Sequence, residues 1–364
     1  MELEAQIALT LVEGVGPVTA KNLISYCGSA SAVFKAKKHS LLKIPEIGEY
    51  TASAVLGFKD FAKAEQELKF IEKHNIKTYF YASVDYPYRL KSTADSPVIL
   101  YQLGDANLNA ERIIGIVGTR MPSDYGRNFC ENLVENLSGT NTLIISGMAF
   151  GIDVCAHKAS IKNKLPTVGV LAHGLDRLYP AQHEKYARTM MKNAGGLVTE
   201  FLSGTIPDRE NFPKRNRIVA GLCDAIIVVE TATRGGSMIT AELAWQYDRS
   251  LFALPGRNND EKSAGCNFLI KTNRAEMIES TEDLLKSMSW DQNPKAIPKQ
   301  RILPLDLSEK ETLLYNLFNT KKLMEIDEVI QTSGLSSSQA ALTLLDLEFK
   351  GLIKPLPGKR FQLL

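Results

Sequence analysis

Three rhythms of apolar and polar positions follow one another along the chain. Over residues 1–62 the apolar positions recur at helical spacing in short runs broken by glycine. The run Leu11-Val12-Glu13-Gly14-Val15-Gly16-Pro17-Val18-Thr19-Ala20-Lys21-Asn22-Leu23-Ile24 predicts two apolar helices around a Gly-x-Gly turn. Leu42–Val55 repeats the shape through Ile44-Pro45-Glu46-Ile47-Gly48. Over 65–288 the rhythm changes to short continuous apolar runs: Thr78–Tyr81, Val98–Tyr101, Ile113–Val117, Leu143–Ile145, Thr167–Leu171, Leu197–Thr199, Ala225–Val229 and Leu251–Leu254. Amphipathic stretches such as Tyr125–Leu137, Glu184–Asn193 and Ile239–Tyr247 separate several of them. Strands that are apolar on both faces, alternating with helices, predict a mostly parallel sheet covered on each side, an α/β fold of Rossmann-like type.

Residues 289–304 carry three prolines among two lysines and one asparagine and read as a linker. Residues 305–364 then give helices near Glu309–Phe318, Ile326–Gln331 and Ser337–Lys350, followed by strands Leu352–Pro355 and Arg360–Leu363 around Pro357-Gly358. That order is a winged helix. Its presumed recognition helix carries Asp346 and Glu348 with only Lys350 at its end, whereas base-reading helices offer Arg, Lys, Asn or Gln. Protein contact or weak DNA contact suits it better than sequence reading. The N-terminal region has the form of a tandem helix-hairpin-helix. Such a module either packs against protein or offers backbone N–H groups to a phosphate, and Glu46 in place of Gly14 in the second copy weakens that anion site.

Composition narrows the class. Of the 364 residues, 44% are hydrophobic and 23% charged, which is ordinary for a folded globular chain. Met1-Glu2-Leu3-Glu4 lacks the basic and apolar regions of a signal peptide, and no apolar run is long enough for a bilayer. Five scattered cysteines without a CxxC pair predict reduced thiols in a cytoplasmic protein and no metal site. A net charge of +2 does not announce a nucleic-acid binder, so any such site must come from local clustering.

Local clustering is present at the predicted strand ends, where open α/β sheets bind ligands. Gly118-Thr119-Arg120, Ser146-Gly147-Met148-Ala149-Phe150-Gly151-Ile152-Asp153, Ala172-His173-Gly174-Leu175-Asp176 and Thr231-Ala232-Thr233-Arg234-Gly235-Gly236-Ser237 are all small-residue turns. Several open helices, where backbone amides meet anions. Neither GxGxxG nor GxxxxGK[ST] occurs, so a classical NAD or ATP site is disfavoured and no cofactor is expected. Arg209-Glu210-Asn211-Phe212-Pro213-Lys214-Arg215-Asn216-Arg217 packs four cations, two asparagines and one aromatic ring into nine residues, directly before an apolar helix. Phosphates need cations, and unpaired bases need a flat ring or an amide edge. A merely solvated helix start would favour acids, because of the macrodipole. Asp153 and His157, four apart, could pair on one helix face. His173 reads as a turn residue. Glu200 and Glu230, each ending a strand, read as buried partners of Arg215 or Arg217 rather than as catalysts.

Taken in order, these motifs resemble a known family. Gly118-Thr119-Arg120, Ser146-Gly147-x-Ala149-x-Gly151-Ile152-Asp153 with Ala156-His157, Gly174-Leu175-Asp176 with Tyr179-Pro180, Phe212-Pro213-x-Arg215-Asn216-Arg217-Ile218, Gly236-Ser237-x-Ile239-Thr240-Ala241 and Pro255-Gly256 are similar to the DNA-processing protein A family, DprA or Smf. The resemblance implies single-stranded DNA binding, a homodimer, loading of the RecA recombinase during natural transformation, and no established catalysis. Carried over by motif, the DNA-facing residues are Gly118, Arg120, Ser146, Gly147, Phe212, Lys214, Arg215, Asn216 and Arg217. Lys214 departs from a motif where arginine is common, which keeps charge and loses the planar fork. A second reading is a nucleoside-monophosphate phosphoribohydrolase of the lysine-decarboxylase-like type, echoed loosely by Gly235-Gly236-Ser237, Thr240 and Glu242.

Overall fold

The computed structural model describes residues 2–290 and 307–364. From residue 291 onward the expected linker lies outside the described residues. The chain divides into two compact units, Met1–Tyr247 with Leu251–Thr281, and Asp248–Ser250 with Glu282–Leu364.

The first unit is built on a nine-stranded sheet: β1 (Lys77–Phe80), β2 (Ile99–Gly104), β3 (Arg112–Gly118), β4 (Thr142–Ser146), β5 (Thr167–Val170), β6 (Gly196–Thr199), β7 (Ala225–Val229), β8 (Ser250–Ala253) and β9 (Glu276–Met277). Their order across the sheet is β1-β2-β6-β5-β4-β3-β7-β8-β9. The pairs β6/β5, β5/β4, β4/β3 and β3/β7 are parallel, and β1/β2 and β2/β6 are antiparallel. β4, β5 and β7 are buried along their whole length, as strands covered on both faces must be. The chain steps outward from β3 through β4 and β5 to β6, then returns to lay β7 on the other side of β3. This reversal is the topological switch point of an open α/β sheet, beyond whose carboxyl ends a ligand crevice forms.

The helical layer at the N-terminus comprises Glu2–Leu11, Pro17–Cys27, Ala30–Lys35, Lys38–Leu41, Glu49–Gly57 and Phe61–His74. Proline at the first position of Pro17–Cys27 has the φ a helix start needs, and Gly28 in the left-handed conformation closes the other end. The expected boundary at residue 62 falls inside the helix Phe61–His74. That helix buries Ala64 and Ile71 in a core shared by Ile7, Leu9 and Leu23 on one side and by Val98, Ile99 and Tyr101 on the other. The helices are therefore packed onto the antiparallel edge of the sheet.

The second unit contains helices Glu309–Thr320, Ile326–Ser333 and Ser337–Phe349 with strands β10 (Leu323–Glu325), β11 (Ile353–Leu356) and β12 (Arg360–Leu363). The sheet order is β10-β12-β11, so the expected two-stranded wing has a third strand. Capping boxes Ser308/Glu311 and Ser336/Gln339 start two of the helices, and Leu314, Phe318, Val329, Leu344, Leu347 and Ile353 form the core. The outer face of Ser337–Phe349 exposes Leu342, Leu345 and Phe349 rather than cations. Among the described residues no helix is long and apolar enough to cross a membrane.

Candidate nucleic-acid interface

A cavity of about 330 Å³ opens at the switch point. The end of β3 contributes Gly118, Thr119 and Arg120, and the turn after β4 contributes Gly147, Ala149 and Asp153. Phe212, Arg215 and Asn216 enter from the helix Asn211–Leu222. The turn after β7 completes the wall with Arg234, Gly235, Gly236 and Ser237. The helix Gly236–Gln246 begins there with no side-chain cap, so its first amides face the cavity without an intrahelical acceptor. Ser237 donates its hydroxyl to Thr231 Oγ1 at 2.7 Å, and Asn216 Nδ2 donates to Gly236 O at 3.1 Å, which fixes the turn.

The residues that were expected to precede the helix form its first two turns, since the helix starts at Asn211. Winding sorts the cluster by face. Arg215 points inward and is only 5% exposed. Its guanidinium donates to Gly147 O and Val170 O beside the carboxylate of Asp153. Burial pushes the Asp153 carboxyl up and the Arg215 guanidinium down, and each charge opposes the shift of the other. Asp153 also accepts from Ala149 N at 3.2 Å. Gly147 allows this packing: a Cβ there would stand 2.2 Å from Arg215 Nη1. Arg215 is thus a pin in the cavity floor, and the expectation of a free phosphate contact has to be corrected to that extent.

Arg217, two residues on, turns to the opposite face and donates to Asp95 O and to the carboxylate of Glu200. Lys214 is exposed on that same side, and both line a different cavity. Ser146 lies beneath the sheet ends, where its hydroxyl donates to Ile116 O at 2.6 Å and does not reach the cavity. Gly118, Arg120, Gly147, Phe212, Arg215 and Asn216 are therefore brought together, and Lys214, Arg217 and Ser146 are not among them. Phe212 is half-buried, with the Arg120 guanidinium carbon 5.8 Å from its ring centroid and the Tyr179 ring at 6.2 Å. Arg120 and Arg234 are the exposed cations of the rim. Arg234 was legible only as part of a small-residue turn and was not singled out.

Other expectations sort as follows. Glu200 is the partner of Arg217, as expected. Among the described residues no arginine pairs with Glu230; it accepts from Ser123 N at 2.8 Å and from the Ser123 hydroxyl, tying the turn after β7 to the helix Asp124–Asn136. Asp153 and His157 do not pair: His157 Nδ1 lies 2.8 Å from Thr167 Oγ1. Complete burial, with His183 and Arg215 adding like charge, brings His157 down to about 3. His173 is a turn residue, with Nε2 accepting from Tyr179 N at 3.1 Å. Glu242 is ion-paired to Arg274 at 2.6 Å and stands outside the cavity. Among the described residues no group of His, Cys, Asp and Glu converges to hold a metal.

The model for DNA recombination-mediator protein A matches residues 77–289, the whole sheet and its turns. The chain belongs to the DNA recombination-mediator protein A family. Family models for a DprA winged helix domain and a SAM-like helix-hairpin-helix tandem match residues 303–359 and 7–56. Among curated relatives, protein Smf of Synechocystis is 31% identical over 398 residues, covering 98% of this chain and 97% of its own. DNA processing protein DprA of Bacillus subtilis is 38% identical over 229 residues, covering 63% of this chain and 76% of its own. The structure of DprA from Streptococcus pneumoniae superposes with a TM-score of 0.67 at 28% identity, covering 78% of this chain and 97% of that one. DprA from Helicobacter pylori, described for its single-stranded DNA binding mode, gives 0.54 at 28% identity, covering 59% of this chain and 96% of that one.

Proposed function

We propose that the chain binds single-stranded DNA across the switch-point cavity and, as a cytoplasmic homodimer, passes it to a RecA-type recombinase without catalysing a reaction itself. The observation that carries the DNA reading is the rim. Exposed Arg120 and Arg234 flank a helix start with open amides, next to the half-exposed face of Phe212. Cations and amides suit backbone phosphates, and a ring suits a base that is not already stacked in a duplex. Family membership supports the recombination role, and the single-stranded DNA binding described for the Helicobacter pylori relative points the same way. The helical layer and the winged helix are read as auxiliary modules, the latter better suited to protein through its exposed leucines. A gel-shift titration of one strand against the same sequence as duplex tests this reading, which requires the single strand to bind more tightly.

A phosphoribohydrolase would need a carboxylate at the reacting sugar. The cavity offers Asp153, which is held by Arg215 and Ala149 N, while Glu242 is engaged with Arg274. Incubation with nucleoside monophosphates should therefore release no free base. Release that disappears in Glu242→Ala would reverse the assignment.

A further inference from the structure

A second cavity, of about 520 Å³, opens between the helical layer and the carboxyl end of β6. The helix Asn211–Leu222 separates it from the switch-point cavity, with Phe212 and Arg215 facing the first and Lys214 and Arg217 facing the second. Leu11, Val15 and Pro17 of the Gly-x-Gly hairpin form one wall, and Pro97, Val98 and Leu202 form the other. At the polar end one carboxylate oxygen of Glu200 accepts from Arg217. The other, Oε1, is buried without a hydrogen-bond partner. A buried acceptor left open is costly, so a ligand that brings an N–H to it is favoured. Arg217 compensates the Glu200 charge, and Lys214 is exposed at the rim, where an anion can reach it.

Those features define a ligand with apolar flat faces, an amino group on one edge and an adjacent negative charge. Carboxylates accept from the N4 amino group of cytosine, and thymine differs there by presenting a carbonyl oxygen. We propose that this cavity takes one unpaired cytosine of the bound strand, its amino group donating to Glu200 Oε1 and its phosphate reaching Lys214. The inference rests on the DNA reading above. It makes the two faces of one helix serve different parts of the same strand, with backbone and stacking on the Phe212 face and base choice on the Arg217 face.

The test measures fluorescence anisotropy of the full chain with dC and dT strands of equal length at pH 8, with Arg120→Ala alongside. The parent should bind dC roughly three- to tenfold more tightly than dT, the size of one hydrogen bond made against one opposed. Glu200→Gln, whose amide N–H can face thymine O4, should abolish or invert the preference. Leu11→Trp, which narrows the apolar wall without touching Glu200, should also remove it, so a folding failure of one variant leaves the other to decide. Equal binding of dC and dT by a parent whose affinity still falls in Arg120→Ala overturns the cytosine pocket and leaves the DNA reading standing. No binding of either strand, or binding indifferent to Arg120→Ala, overturns both.

Discussion

Arg215→Met and Arg120→Ala remove one guanidinium each from the same cavity and should fail in opposite ways. Arg215 is almost completely buried, holds the carbonyls of Gly147 and Val170, and compensates Asp153. Removing it leaves a buried carboxylate unpaired and two carbonyls unsatisfied. Breaking a buried pair on one side costs about 3–5 kcal/mol. At roughly 2–4 °C per kcal/mol for a domain of this size, Tm should fall by about 6–20 °C. Adding Asp153→Asn removes the orphaned charge and should recover part of that loss. Arg120 is exposed at the rim, so Arg120→Ala should move stability by less than about 0.5 kcal/mol. It should instead weaken single-strand binding and flatten the dependence of log K on log salt by about 0.7. The assay pairs thermal denaturation with anisotropy titrations between low and physiological salt. Arg215→Met melting with the parent while losing DNA would show its guanidinium to be a direct ligand, refuting the pin. An unchanged salt slope in Arg120→Ala would remove the phosphate from the rim.

Phe212→Ala should cost about 1–3 kcal/mol of single-strand affinity with the salt slope unchanged, and much less with duplex, as titration of both substrates will show. Gly147→Ala places a methyl group 2.2 Å from Arg215 Nη1, so it should lower Tm, as is expected of Arg215→Met, and thermal denaturation will show it. His157 is held down to about 3 against an ordinary 6.5, so the unfolded chain takes up its proton first on acidification. Its share of stability is intact above about pH 6.5 and is lost as pH falls toward 3, about 2 kcal/mol of it by pH 5. Denaturant titrations at pH 7 and pH 5 should show a smaller difference for His157→Gln than for the parent.

The parallel centre of the sheet was legible because strands such as β3 and β7 are short runs dominated by Ile and Val; Ile113–Val117 and Ala225–Val229 differ from them by no more than a residue at each end. β9 has only two residues, both exposed, and β10 has three, too short for any period to register. Phe61–His74 escaped notice because its buried stripe, Ala64, Glu67 and Ile71, is narrow and partly charged. The start of Asn211–Leu222 was read too late because cations oppose the dipole at a helix N-terminus. The structure resolves that conflict by tying Arg215 to carbonyls and Arg217 to Glu200. Sequence order shows that cations are close together; only the winding of the helix shows which of them face solvent.

The pairing of β3 with β7 has a kinetic consequence. β7 pairs with β3 across about a hundred intervening residues, which form β4, β5, β6 and their helices. Loop closure over that length is slow, and it is favoured once the intervening layers have shortened the effective gap. The turn after β7 supplies Arg234 and the open helix start of the rim, so the candidate anion site needs this pairing. A chain in which β3 and β7 were apart would lack that wall of the pocket. Whatever binds at that rim therefore favours the fully paired sheet over any chain in which the two strands are apart.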